Sequence, residues 1–453
     1  MPDSEKSDGG GHLYCGGKNL IEDNQQSSAA DITKGHLRKL LALDNVGFLM
    51  GSGTSIDAGA PTMSDLSKTI LPLITNECFS EDENFWPAVL KSAWEGKKAF
   101  TMPDKDDKLS YADINIEKVA AHLICAAALS ELQANRSYLR FGGMQKNTQL
   151  TKSNIKKAIS IFRDNVFELC SAPTDNRDFE GRITHHIFLK KCLAFRRQNQ
   201  RRLHLFATNY DLLVESACDD IGIHYVNGFS GVSHRRFWPE EFDIDFHRVD
   251  PGEQPKPHFY DRVVHLVKLH GSIVWTASKD PSDPYDIEER PFQTVAAEQI
   301  AGSSLPLLVY PSPNKYGEVL GFPYSELFRR FSGFVARPQT VLFTVGYGFN
   351  DEHVNAVIRQ GLAHPSFTLV IVHPHFEPDI DDEDKENSYY FDQTVSVNHI
   401  LEKFAATNDP RIFFIGGKMA YWKNFVIDVM PDVHEEDPFE VIRQTLIQTS
   451  QNR

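Results

Sequence analysis

The 453-residue sequence predicts an α/β fold, a doubly wound parallel, Rossmann-like sheet with an inserted helical module. Three observations carry that prediction. After residue 200, short apolar or β-branched runs recur: LHLFATN (203–209), RVVHLVKLHG (262–271), LPLLVYPS (305–312), TVLFTVGYG (340–348) and SFTLVIVHP (366–374). Strands buried on both faces of a parallel sheet have this composition. Helical stretches follow several of them, namely YDLLVESACDDIG, PYSELFRRFSGFVA and NDEHVNAVIRQGL, and such alternation builds a parallel sheet. From about 67 to 199, by contrast, apolar residues recur every three or four positions and little reads as strand.

In chain order, residues 1–30 are rich in Gly, Ser, Asp, Asn and Gln and read as a mobile tail. DITKGHLRKLLALD then carries Ile32, Leu37, Leu40 and Leu41 on one helical face, with Asp31 or Thr33 placed to cap it. NVGFLM (45–50) is the first strand, running into GSGTS (51–55). The segments NIEKVAAHLICAAALSELQ, NIKKAISIFRDNVFELC and HHIFLKKCLAFRRQN are the helices of the inserted module. The expected division is therefore 31–66 with 200–453 as the sheet domain and 67–199 as the insertion. PDIDDEDKENS (378–388) reads as an acidic loop with no assigned chemistry.

Composition narrows the function. A formal net charge of −15 argues against duplex-DNA binding, which needs a basic surface. The run Arg196, Arg197, Arg201 and Arg202 reads as a solvated helix end. The six cysteines form no CxxC pair, against a zinc ribbon, and no metal is expected. Their scatter in apolar segments suits a reducing compartment. No apolar run reaches the roughly 20 residues of a membrane span, and the N-terminus lacks the apolar core of a signal peptide. A cytoplasmic location is expected.

The polar and glycine residues of interest sit where the predicted strands end, the side on which open parallel sheets bind ligands. Gly51, Ser52, Gly53, Thr54 and Ser55 follow the first strand, and two glycines there let the backbone approach a pyrophosphate. A plain strand-to-helix turn fits the same residues. Thr208, Asn209, Tyr210 and Asp211 end the second strand, where an asparagine could also simply cap a helix. Leu269, His270 and Gly271 follow the third, though a lone histidine there is usually structural. Gly346, Tyr347, Gly348, Phe349 and Asn350 lead into a helix that starts near Asp351. Four such groups in order form one constellation.

The series GSGTSIDAGAPTMSDL (51–66), ATNYDLLVE (207–215), NGFSG (227–231), KLHGSIVW (268–275) and GYGFNDEHVNAVI (346–358) resembles the sirtuin-like superfamily. Its wording is similar in particular to the sirtuin-like NAD hydrolases of bacterial anti-phage defence. Asn115-Ile116-Glu117 and PSPNKYGEVLGFPYSELF (311–328) read the same way with less diagnostic weight. The resemblance implies that Gly51, Gly53 and Ser55, with Thr54 and Asp57, bind the phosphates and adjoining ribose of NAD. It implies that Asn209 holds a ribose hydroxyl or the attacking water, and that Asp211 contacts the nicotinamide carboxamide. His270 matches the catalytic histidine, and Gly346 and Tyr347 sit where the family closes over the adenosine side.

The activity so implied is release of nicotinamide from NAD. The reaction passes through an oxocarbenium-like state with a neutral pyridine leaving, so it needs ribose orientation, charge stabilisation and a base rather than a general acid. Histidine suits the last task and asparagine the positioning of a hydroxyl.

Two departures set the chain apart from protein-deacylating sirtuins. The four-cysteine zinc ribbon is missing, and GAP continues as TMSDL instead of an aspartate-phenylalanine-arginine step. Protein deacylation or ADP-ribosyl transfer is a rival reading, and a catalytically silent NAD- or ADP-ribose-sensing subunit is another. Retention of both Asn209 and His270 argues against the latter. An unrestrained NAD hydrolase would kill its host, so restraint by homo-oligomerisation or a partner is expected. Residues 373–453 are short for a large sensor, and the resemblance implies a separate sensing protein such as a HerA-type hexameric ATPase.

Overall fold

The computed structural model describes residues 11–21, 28–82, 85–96, 99–104, 107–132, 138–139, 150–175, 180–196, 200–249, 257–277, 287–292, 294–295, 306–308, 321–378, 389–391 and 399–432. The main sheet contains β1 (His12–Cys15), β2 (Lys18–Asn19), β3 (Asn45–Met50), β4 (Leu203–Ala207), β5 (His224–Val226), β6 (Val263–Lys268), β7 (Thr340–Val345), β8 (Thr368–Val372) and β9 (Ile412–Gly416). Its order is β2-β1-β9-β8-β7-β3-β4-β6-β5. The seven strands from β9 to β5 run parallel, and β1 joins β9 antiparallel with β2 beyond it. The chain leaves β3 in one direction through β4 and returns to β7 on its other side, so β3 marks the switch point of a Rossmann-like α/β fold.

Alternation along each strand divides the core in two. Leu49, Phe206, Val267 and Leu342 face one side, where they meet α8 (Tyr324–Val335), α9 (Glu352–Leu362) and α10 (His399–Ala406). Phe48, Leu205, Leu266 and Phe343 face the other, against α1 (Ala29–Leu41), α6 (Glu180–Ala194) and α7 (Leu213–Ile221). A third core holds together α2 (Met63–Cys78), α3 (Phe85–Ser92), α4 (Ile116–Leu132) and α5 (Lys152–Asp175) through Ile70, Trp86, Val119 and Phe162. The indole N–H of Trp86 donates to the Thr75 hydroxyl at 2.8 Å, satisfying the polar atom of this buried ring.

Several expectations are corrected. The segment 1–30 is not wholly a loose tail, because β1 pairs with β9 and buries Leu13 and Tyr14, with Tyr14 packed edge-on to Phe376. The cap of α1 is Ser28, whose hydroxyl accepts from the Asp31 N–H, rather than Asp31 or Thr33. LPLLVYPS contributes Pro306–Leu308 to a separate five-stranded sheet, antiparallel to Gly271–Ala277. The last helix of the 67–199 stretch, α6, packs on the sheet, with Phe188 edge-on to Phe48 at 4.9 Å, so only α2 to α5 share the third core. Arg196 is structural rather than solvated, donating to the carbonyls of Leu43, Asp44 and Arg201. Arg202 pairs with Asp245, while Arg197 lies outside the described residues. The acidic loop beyond Pro378 and residues 311–320 of the family-like stretch also lie outside them. No helix among the described residues is long and apolar enough to cross a membrane.

Candidate active site

At the carboxyl end of β3 the chain crosses the loop that follows β7 at backbone contact. The Gly51 N–H donates to the Val345 carbonyl at 3.0 Å, and the Gly53 N–H donates to the Gly346 carbonyl at 2.9 Å. A β-carbon on Gly53 would stand 2.6 Å from Gly346 Cα, and one on Gly346 would stand 2.5 Å from the Thr54 nitrogen. Gly346 also has φ +63°, which L side chains rarely adopt. These glycines thus serve the crossing itself, and the N–H groups of Gly51 and Gly53 are committed to it.

The crossing brings the next polar groups together. Asn209, at the end of β4, donates its amide to the Gly51 carbonyl at 2.9 Å, the Ser55 hydroxyl at 2.9 Å and the Thr54 hydroxyl at 3.2 Å. Ser55 in turn donates to Asp211 at 2.8 Å. The other Asp211 carboxylate oxygen accepts the Leu213 N–H at 3.0 Å, which fixes the carboxylate against the start of α7. Asn209 is therefore a link between two strand-end loops and not a helix cap.

Beneath this chain lies a buried ion pair. Lys268, the last residue of β6, donates to Glu215 at 2.9 Å and to the main-chain carbonyl of Asp211. Burial raises the Glu215 carboxyl, and the Lys268 ammonium pulls it back down. The pair pins the turn that carries Tyr210 and Asp211.

His270 follows two residues later and is buried. Its Nε2 lies 3.0 Å from Nε2 of His353, in the first turn of α9, and the Phe328 ring stands edge-on to His353 at 5.1 Å. Asp351, the cap residue of α9, completes a group whose ligand atoms all lie within 4.8 Å of one another. These three residues are the described set that could hold a metal ion.

These loops open on a cleft of about 160 Å³, on the carboxyl side of the sheet at the switch point. Gly51, Ser52, Ser55, Asn209, Asp211, His270 and Tyr347 line it from the sheet side. The helices close the far wall with Met63 and Leu66 of α2, Glu117 of α4, and Val166 and Cys170 of α5. Burial pushes the Cys170 thiol up to about 12, so it stays protonated and is no nucleophile near neutral pH. Among the described residues the lining holds three carboxylates (Glu117, Asp211 and Asp351) and neither lysine nor arginine. Such a wall favours positive charge developing on a bound molecule.

The remaining expected residues lie elsewhere. Thr54 and Gly346 are built into the crossing beside the cleft, and Asp57 is exposed on the short turn Ile56–Ala58, away from the lining. Tyr347 reaches the cleft but packs its ring against Phe349 and bonds Asn355 at 3.1 Å. Burial holds its phenol well above the usual range. Lys268, Glu215, Asp351 and His353 are the site residues that sequence reasoning did not single out, and Glu117 entered it only within the triplet Asn115-Ile116-Glu117. A lysine ending an apolar strand and a glutamate inside the apolar face of α7 were the available signals.

Residues 203–400 match the family model of the SIR2-like domain. The match runs from β4 into the start of α10 and takes in the loops bearing Asn209, His270 and Tyr347. It supports a sirtuin-like family, and with it NAD-related chemistry, since SIR2-like domains use NAD as substrate. The loop Gly51–Asp57 precedes the matched residues. No curated protein matches the chain.

Proposed function

We propose that this SIR2-like chain hydrolyses NAD to nicotinamide and ADP-ribose. The observation that carries the reading is the convergence of Asn209, Ser55, Asp211 and His270, from three separate strand ends, on one cleft. Water adds to the anomeric carbon as the ribose–nitrogen bond breaks. That bond's electron pair goes to the pyridine nitrogen, and nicotinamide leaves neutral. His270 takes the proton from the attacking water, directly or through a ribose hydroxyl, a role typically worth about 10²–10⁴-fold. Asn209 orients the hydroxyl or the water, and Asp211 holds the carboxamide. The carboxylates of the lining lower the cost of the oxocarbenium-like state.

In a cell such a hydrolase acts as an NAD-depleting effector, and we assign it to anti-phage defence on the wording of its motifs. Restraint then comes from oligomerisation or from a separate sensor, with a HerA-type hexameric ATPase as the favoured partner. The test is chromatography of NAD incubated with the purified chain, alone and with the product of the adjacent gene. Nicotinamide and ADP-ribose should appear in equal amounts and be lost in Asn209→Ala and His270→Ala. Undiminished release by His270→Ala would overturn the mechanism.

A further inference from the structure

We propose that His270, His353 and Asp351 form a binding site for one borderline divalent metal ion of the Zn²⁺ class, and that occupancy of this site silences the cleft. Binding stands on the geometry alone; the silencing rests on the hydrolase reading above.

The two imidazoles present the same atom, Nε2, toward each other across 3.0 Å. With metal–nitrogen bonds of about 2.0–2.1 Å, that separation subtends an angle of about 95° at a shared ion, close to an octahedral edge. Opening the pair by about 0.3 Å reaches the tetrahedral angle. Both rings are buried, His270 at 3% and His353 at 5% exposure, so their orientation is set by packing before any ion arrives. Asp351 and His353 sit two apart at the start of α9, where Asp351 is still extended (φ −95°, ψ 97°). A carboxylate oxygen lies within 4.8 Å of a ring nitrogen of each histidine and supplies a third ligand by rotating its side chain.

Two imidazoles and one carboxylate suit Zn²⁺, Co²⁺ or Ni²⁺ over Mg²⁺ or Ca²⁺. His270 and Asp351 both line the cleft, so the remaining coordination positions face it and take water. An ion there occupies the His270 nitrogen lone pair, which a base needs free. It also offsets the negative charge of Asp351.

The test uses the full chain, stripped with a chelator and titrated with Zn²⁺ and, for its spectrum, Co²⁺. One ion per chain should bind, and the Co²⁺ spectrum should lack thiolate charge-transfer absorption, which separates this site from Cys170 on the same cleft wall. His353→Ala and Asp351→Asn should each weaken binding at least tenfold. Zn²⁺ should raise the melting temperature of the parent chain and not that of His353→Ala; Asp351→Asn guards against misfolding of the buried substitution. Asn209→Ala should bind the ion as the parent does, so a failed hydrolase assay leaves this result standing. Binding that is absent, or that survives both substitutions, or that disappears in Cys170→Ser, overturns the site and leaves a hydrogen-bonded histidine pair. If NAD is hydrolysed, stoichiometric Zn²⁺ should stop nicotinamide release and a chelator should restore it.

Discussion

The Asn209 amide donates to the Ser55 hydroxyl at 2.9 Å, and that hydroxyl donates onward to Asp211 at 2.8 Å. One serine therefore holds two site residues of the loop after β4 in register with the loop after β3. Ser55→Ala removes the bridge, while Asn209 keeps acceptors on Gly51 and Thr54. The expected cost in stability is about 1 kcal/mol. Activity should suffer more, since loss of positioning by a fraction of an ångström costs on the order of 10-fold to 100-fold. Steady-state kinetics beside a urea titration checks this; an unchanged kcat/KM would remove Ser55 from the positioning set.

The crossing of the two loops yields a second prediction. In Gly346→Ala the new β-carbon meets the Thr54 nitrogen at 2.5 Å on a backbone with φ +63°. The three nearest atoms, on Thr54 and Gly53, are all backbone, so the loops must separate. We expect a loss of at least about 2 kcal/mol, read as a drop of about 2 °C or more in Tm. Gly222→Ala is the comparison: it shares the positive φ (+69°) but meets nothing within 4 Å, and should cost less.

Those loops also show what the sequence makes legible. NVGFLM, LHLFA, VVHLVK, TVLFTV and TLVIV are read as strands because a strand between two helical layers must be apolar on both faces. Their order then places Asn209 and His270 at one edge. The strand at His12–Cys15 escapes because it is four residues long, set among glycines, and its partner β9 lies some 400 residues away. Pairing of that kind leaves no local signature. Pro306–Leu308 misleads for the opposite reason, since an apolar run looks the same in a parallel sheet and in a small antiparallel one. The partnership of His270 with His353 depends on where α9 docks, which periodicity along α9 does not specify. Glu117 and Cys170 likewise reach the cleft only through the packing of α4 and α5 across it.

Acid should unfold the protein through neutral, half-buried histidines. Burial pushes His265 down to about 4, reinforced by Arg337, Arg202 and Arg330 and opposed by Asp245, with His204 packed against it at 4.7 Å. His373 is likewise pushed down to about 4 by burial, with His375 adding to the effect. A histidine whose folded pKa lies below its unfolded value is protonated preferentially in the unfolded chain. Its contribution is complete above about pH 6.5 and lost as pH falls toward 4, in total about 2–3 kcal/mol each. Urea midpoints measured between pH 7 and 4.5 should fall steadily. His265→Phe should flatten that slope whatever it does to the midpoint at pH 7, and an unaltered slope would discard the assignment.

The Lys268–Glu215 pair gives the last prediction, because both members are buried and Lys268 holds the turn bearing Tyr210 and Asp211. Lys268→Met strips the counter-charge from Glu215, whose carboxyl burial already raises. It also leaves the Asp211 carbonyl without the ammonium. Breaking a buried pair from one side typically costs about 3–5 kcal/mol. Replacing both partners, as in Lys268→Met with Glu215→Leu, removes the stranded carboxyl and should recover a large part of that stability. Activity should not recover with it, because the turn bearing Tyr210 and Asp211 still lacks the Lys268 donor. Thermal denaturation and nicotinamide release on the two single variants and the double variant separate these effects. Recovery of both quantities together would mean that Lys268 serves only to neutralise Glu215.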